Sequence, residues 1–202
     1  MRKALIILER FVRGINNRLS TLRARILLGN VGRGTVIRRH CRLEGDRLDC
    51  VSFGKGCDVD TYCVIGCRDR LGVPPILSIG DGCVFGQYNH ITAVNKICIG
   101  DNLLTGRFVL ITDNSHSGIC KEDFCIHPSL RQVVSKGEII IGKNVWLGDK
   151  VSILPGVHIG DGCIVGANSV VTHDIPSYSI VAGNPAKVLK IVKEYRDTRQ
   201  PC

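Results

Sequence analysis

The chain has 202 residues, 44% hydrophobic and 22% charged, which describes one globular domain with an appendage rather than a disordered chain or a disulfide scaffold. No apolar run approaches the ~20 residues of a membrane span. The net charge of +9 is confined to the start, because residues 1–42 hold eleven Lys/Arg against the single acid Glu9 and residues 43–202 sum to −1; a neutral body behind a basic head argues against nucleic acid as a partner.

Residues 1–30 are expected to form a basic amphipathic helix. Leu5, Leu8, Phe11, Val12, Ile15, Leu19, Leu22 and Ile26 recur at helical spacing with arginines between them. Such a helix can close the open end of the domain that follows, or make peripheral contact with an anionic membrane, and the two roles are compatible. Ala4-Leu5-Ile6-Ile7-Leu8 is too short for a secretory signal and Glu9-Arg10 interrupts it, so the expected location is the cytoplasm, at the inner face of the membrane if the helix binds lipid. The eleven cysteines are odd in number and include no Cys-x-x-Cys pair. They are read as reduced apolar fillers, not as disulfides or metal ligands.

From Val31 a bulky residue returns every six positions: Val31, Ile37, Leu43; Phe53, Val59, Ile65; Ile79, Phe85, Ile91; Ile99, Thr105, Ile111; then unbroken through Ile141, Leu147, Ile153, Ile159, Val165 and Val171. Only Thr105 departs from the apolar rule. Each group of three opens alike, as in Val31-Gly32-Arg33-Gly34, Ile99-Gly100-Asp101-Asn102 and Ile159-Gly160-Asp161-Gly162, with Gly or Asn always fourth, where a turn needs a left-handed backbone. A period of six is neither helical nor simple alternation. It fits a short strand and a corner repeated three times per coil, and six coils would stand about 29 Å tall. The rhythm breaks by four residues after Leu43, eight after Ile65, two after Ile91 and 24 after Ile111. The longest excursion opens with the polar run Thr112-Asp113-Asn114-Ser115-His116, and an insertion of that length in a compact repeat protein is either functional or disordered.

These motifs, with Ile139-Ile140-Ile141-Gly142-Lys143-Asn144-Val145-Trp146-Leu147-Gly148 and Ala182-Gly183-Asn184-Pro185-Ala186-Lys187-Val188-Leu189-Lys190, make the chain resemble the hexapeptide-repeat acyltransferases over residues 31–190. The resemblance implies a mainly β fold, a left-handed parallel β-helix of about six coils over residues 31–185, with a loop at 112–138, the N-terminal helix before it and a short C-terminal helix or tail over 186–202. It further implies an acetyl-CoA-dependent O-acetyltransferase acting on a sugar hydroxyl in surface-polysaccharide biosynthesis. By the same resemblance, His116 is the general base that takes the hydroxyl proton during direct transfer, a role suited to imidazole near neutral pH. Asn89, His90 and Asn114 would bind the glycan acceptor. Trp146, Gly148, Asp149, Ala167, Thr172, His173, Lys187 and Lys190 would line the acetyl-CoA groove between subunits of a homotrimer. An N-acetyltransferase of a nucleotide-linked amino sugar, or an antibiotic acetyltransferase, is the alternative implied by the shared C-terminal signature. A zinc carbonic anhydrase on the same prism would need a third histidine beside His90 and His116, and none stands at a suitable spacing.

Overall fold

The computed structural model describes residues 2–116 and 120–192. From Asn30 the chain winds as a three-sided prism of parallel strands. Face A stacks Asn30–Val31, Val51–Phe53, Ile76–Ile79, Lys96–Ile99, Ile139–Ile141 and His158–Ile159. Face B stacks Val36–Ile37, Asp58–Val59, Val84–Phe85, Leu104–Thr105, Trp146–Leu147, Ile164–Val165 and Ser179–Gly183. Face C stacks Arg42–Glu44, Val64–Cys67, His90–Ala93, Leu110–Thr112, Ser152–Ile153 and Val170–Val171. This makes six coils and the start of a seventh. Registers join equivalent repeat positions, as in Ile65 with Ile91, Ile91 with Ile111 and Ile111 with Ile153. All eighteen repeat positions are buried except Val31 and Leu43 of the first coil, which are half-buried. With about 1.5–3 kcal/mol from each buried aliphatic side chain, the filled interior stabilises strands that are often only two residues long.

At the corner from face A to face B, Gly34, Gly56, Gly82, Asn102, Asn144 and Gly162 all have φ between 55 and 80°, as the turn chemistry requires. The corner from B to C is also left-handed, but its residues are His40, Tyr62, Tyr88, Phe108, Lys150 and Asn168, with φ between 58 and 65°. A side chain costs roughly 1–2 kcal/mol in this conformation. The four rings offset part of that by stacking, with successive centroids 5.1, 5.0 and 4.9 Å apart and planes parallel within 7°.

The residue after each of these corners points inward. The first set is Thr35, Cys57, Cys83, Leu103, Val145 and Cys163, and the second is Cys41, Cys63, Asn89, Val109, Val151 and Ser169, all buried. Four of their polar members donate to a carbonyl of the next coil: Thr35 Oγ1 to Gly54 O at 2.6 Å, Cys57 Sγ to Gly80 O and Cys63 Sγ to Gly86 O at 3.1 Å, and Cys83 Sγ to Gly100 O at 3.3 Å. The thiols thus fill space and satisfy a buried acceptor at once. Thr105 has a parallel explanation. Its hydroxyl accepts from Gly86 N at 3.0 Å and from Asn89 Nδ2, a polar pair inside the column.

The helix Arg2–Leu27 lies across the first coil. Ala24 and Leu28 are buried, Thr21 Oγ1 accepts the Ile37 N–H at 3.0 Å, Asn17 Oδ1 accepts the Arg39 N–H at 3.2 Å, and Ser20 Oγ donates to Arg38 O at 3.0 Å. Its small and polar side therefore occupies the hydrogen-bonding edge of face B, while Phe11, Ile15, Leu19, Leu22 and Ile26 are exposed. Among the described residues no helix is long and apolar enough to cross a membrane. The expected C-terminal helix is not formed over Ala186–Ile191, which is a strand antiparallel to Ser179–Gly183. The β-branched and aliphatic run Val188-Leu189-Lys190-Ile191 finds an open sheet edge beside it and pairs there. Residues 193–202 lie outside the described residues.

Candidate active site

All four breaks in the six-residue rhythm fall at the same corner, from face C to face A. The excursions therefore gather along one edge of the prism. Beside that edge, on the outer side of face C, a cavity of about 300 Å³ is lined by Glu44, Arg68, His90, Thr92, Thr112 and Asn114, among others. The sheet register sets Glu44, Gly66, Thr92 and Thr112 in one row across four coils. A Cβ at Gly66 would meet Glu44 O at 2.2 Å, so glycine lets the two coils approach closely in that row. Arg68 pairs with Glu44 at 3.0 Å and Arg42 pairs with the same carboxylate at 2.5 Å. Partial desolvation against the cavity wall lowers the His90 pKa although the residue stays exposed, with the Glu44 charge pulling it partly back.

His116 lies two residues beyond Asn114, in a short hairpin that pairs Ser115–His116 with Val133–Val134. The hairpin is tied down at both feet. The buried Asp113 carboxylate accepts the N–H groups of Val94 and Asn95, each at 2.9 Å. Asn95 Nδ2 in turn donates to Ser135 Oγ at 3.4 Å. The His116 ring is exposed and its Nδ1 lies 3.4 Å from the Arg131 carbonyl oxygen. A carbonyl can only accept, so this long contact is a hydrogen bond only with the proton on Nδ1. That tautomer leaves a lone pair on Nε2, the form of imidazole that removes a proton. Arg131 is itself held, its Nε donating to Ile126 O at 3.1 Å and its guanidinium 5.4 Å from the centre of the Phe124 ring.

A second group of expected residues sits elsewhere. Trp146, half-exposed, points out from face B. Gly148, Asp149 and Ala167 form the corner from B to C directly after their strands. A Cβ at Gly148 would meet Ala167 N at 2.7 Å, so glycine lets the two coils approach there. The Asp149 carboxylate is used internally, accepting the Arg107 N–H at 2.8 Å. Leu104, Trp146, Ile164, Ile180 and Lys190 form one outward column across face B. A register shift between Ile180 and Val181 sets Lys190 opposite Ile180 and Lys187 opposite Ala182. Both lysines thereby share the outer side with Trp146, where a regular strand would separate them. Thr172 and His173, joined by a 2.8 Å Oγ1–Nδ1 contact, are not with this set. They follow face C and stand on the loop edge with His116.

One expected acceptor residue is corrected. Asn89 is fully buried, its Oδ1 accepting the Val109 N–H at 2.8 Å and its Nδ2 donating to Thr105. It fills the inward slot that Cys41 and Cys63 fill in the coils before, so it holds the column together and cannot reach an acceptor outside. His90 and Asn114 both line the cavity on face C.

The model of the bacterial transferase hexapeptide (six repeats) matches residues 138–173. WbbJ of Escherichia coli (strain K12), named for O-acetyl transfer in lipopolysaccharide biosynthesis, is 36% identical over 159 residues, 77% of this chain and 78% of that protein. The chain belongs to the hexapeptide-repeat acyltransferases. A macrolide acetyltransferase of Lysinibacillus sphaericus, so named, is 39% identical over 119 residues, half of this chain and 65% of that one. The fold recurs in AntD, an N-acyltransferase from Bacillus cereus solved with dTDP-4-amino-4,6-dideoxyglucose and coenzyme A, with a TM-score of 0.68 at 21% identity over 84% of this chain and 87% of that one. It recurs also in VCA0836 of Vibrio cholerae, solved with acetyl coenzyme A, with a TM-score of 0.54 at 22% identity over 85% and 75% of the two chains.

As a hexapeptide acyltransferase the chain is an enzyme whose expected site residues divide between two edges. The loop edge carries His116, His90, Asn114, Thr172 and His173; face B and its corner with C carry Trp146, Gly148, Asp149, Ala167, Lys187 and Lys190. Sequence reasoning missed Glu44 and Arg68, which the stacking of coils brings to His90. It also missed Asp113 and Arg131, which fix the hairpin. For Asp113 the available signal was an acid three residues before the candidate base, at the point where the repeat breaks.

Proposed function

We propose that this chain transfers an acetyl group from acetyl-CoA to a sugar hydroxyl, with His116 as general base. The observation that carries the reading is the meeting of all four excursions at one edge, where Asn114 lines a cavity of mixed polarity and His116, two residues on, has its Nδ1 facing a carbonyl. His116 Nε2 accepts the acceptor's O–H proton as that oxygen attacks the thioester carbon, and returns it to the departing CoA thiolate, so that acetyl ester and free thiol form with no net proton change. Glu44, Arg68, His90, Thr112 and Asn114 present both donors and acceptors, which suits a polyhydroxyl ligand. The likeness to WbbJ supports a surface-polysaccharide acceptor.

The donor fits the other edge. Small residues at Gly148 and Ala167 leave the corner low enough for a slim pantetheine arm, and Lys187 with Lys190 offers positive charge for phosphates. The two half-sites stand on different faces of the prism. A trimer, in which the loop edge of one protomer meets face B of the next, joins them, and the exposed apolar column Val84, Leu104 and Trp146 on face B supports that contact.

The test is acceptor-dependent thiol release from acetyl-CoA across a panel of sugars. His116→Ala should fall by about a hundredfold or more with CoA binding retained; equal activity would remove His116 from the mechanism. A matched hydroxyl and amino sugar pair separates O- from N-transfer, the second reading kept open by the name of AntD. Leu104→Arg should convert a three-chain particle to single chains and abolish transfer.

A further inference from the structure

We propose that the outward side of the N-terminal helix is a docking surface for an anionic lipid bilayer. The helix seats itself on the prism through Asn17, Ser20, Thr21, Ala24 and Leu28. Phe11, Ile15, Leu19, Leu22 and Ile26 are 42–74% exposed. At 100° per residue they fall within an arc of about 80°, centred opposite the seated side, and run for about 22 Å along the axis. An apolar stripe of this kind ordinarily faces the core. Here the core side is taken by small and polar residues, so the stripe has no partner among the described residues.

Charge selects the occupant. Arg18 and Arg25 border the stripe on one side and Arg23 on the other, all exposed and none in an ion pair among the described residues. A groove of about 430 Å³ between the helix and the first coil is lined by Arg18, Leu22, Arg25 and Val36, among others, setting two guanidiniums beside apolar surface. That arrangement matches acyl chains flanked by anionic headgroups. A second copy would press this strongly basic segment against its own like charge. The surface is independent of the catalytic reading, since it lies on the helix and not at either half-site.

The test is co-sedimentation of the full chain with phosphatidylcholine vesicles, with and without about a third phosphatidylglycerol. The chain should sediment with the anionic vesicles, less so as salt rises, and poorly with the neutral ones. The triple variant Phe11→Ser, Leu19→Ser, Leu22→Ser should bind at least about tenfold more weakly, as should Arg18→Gln, Arg23→Gln, Arg25→Gln. Because these side chains are exposed, melting temperature and transfer to a soluble acceptor should stay unchanged in both. Failure of the parent chain to sediment, or undiminished binding of the stripe variant, would overturn the proposal. So would a drop in particle mass caused by the stripe variant, which would assign the stripe to a second copy.

Discussion

Asp113 is where a small change should separate catalysis from folding. Its carboxylate is fully buried and accepts two backbone N–H groups, from Val94 and Asn95, at the foot of the hairpin that carries His116. Asp113→Asn keeps the shape and one acceptor but turns an amide donor toward the other N–H. One charge-assisted bond is lost and two donors face each other, at a local cost of about 1.5–3 kcal/mol. The filled interior of the coils is untouched, so the loss should appear as loosening of the hairpin. A base displaced by ~1 Å can cost ~10² in rate, and kcat for acceptor-dependent thiol release should fall about ten- to a hundredfold with the acetyl-CoA KM unchanged. Steady-state kinetics with urea unfolding on the same preparations reads both effects. Unchanged kcat in a destabilised protein would refute the reasoning and leave Asp113 as a structural anchor alone.

Three other outcomes are expected. His90 takes its proton at lower pH when folded than when unfolded, because partial desolvation disfavours its charged form; the unfolded chain then binds more protons as pH falls through the ordinary histidine range, and stability should drop there. His90→Gln should flatten that slope in urea midpoints measured across pH, and an unaltered slope would contradict it. Tyr88→Ala keeps the left-handed backbone but loses both stacking neighbours, and should destabilise by about 1–3 kcal/mol in urea unfolding; Tyr88→Gly removes the backbone cost as well and should be the milder change by about 1 kcal/mol. Iodoacetamide should modify Cys120 and Cys125, both exposed, well before buried Cys41, Cys57, Cys63, Cys67, Cys83 and Cys163, as read by peptide mass. Cys67, whose thiol burial pushes up to about 12, should react only on unfolding.

The coils were legible because each obeys a local rule that its neighbours repeat: a bulky residue inward every six positions and Gly or Asn at the corner from A to B. The site was legible only along the chain. The arithmetic of the breaks located the loop and His116, yet Glu44 and Arg68 reach His90 through stacking across coils, which no local spacing records. Asn89 misled because its sequence neighbours resemble an acceptor motif while its repeat slot is an inward one, and that slot becomes visible only when Cys41, Cys63 and Val109 are aligned by coil. At the C-terminus a six-residue stretch without decisive periodicity became a strand because an unpaired edge lay beside it. The helix was correctly expected to be amphipathic, but its polar side, not its apolar side, meets the prism, since what the first coil offers it are unpaired backbone N–H and C=O groups.

Those backbone groups have a wider consequence. A column of near-identical parallel coils is an open template at each end, and nothing in its own geometry limits how many units could add; left bare, it would grow end to end as a fibre. Here the two ends are chemically unlike. Asn17, Ser20 and Thr21 block the first coil with side chains, and Ala186–Ile191 turns back antiparallel over the last, ending the parallel pattern that another coil would copy. Elongation along the axis is thus terminated twice, by two different devices, and association is directed to the flanks of the prism.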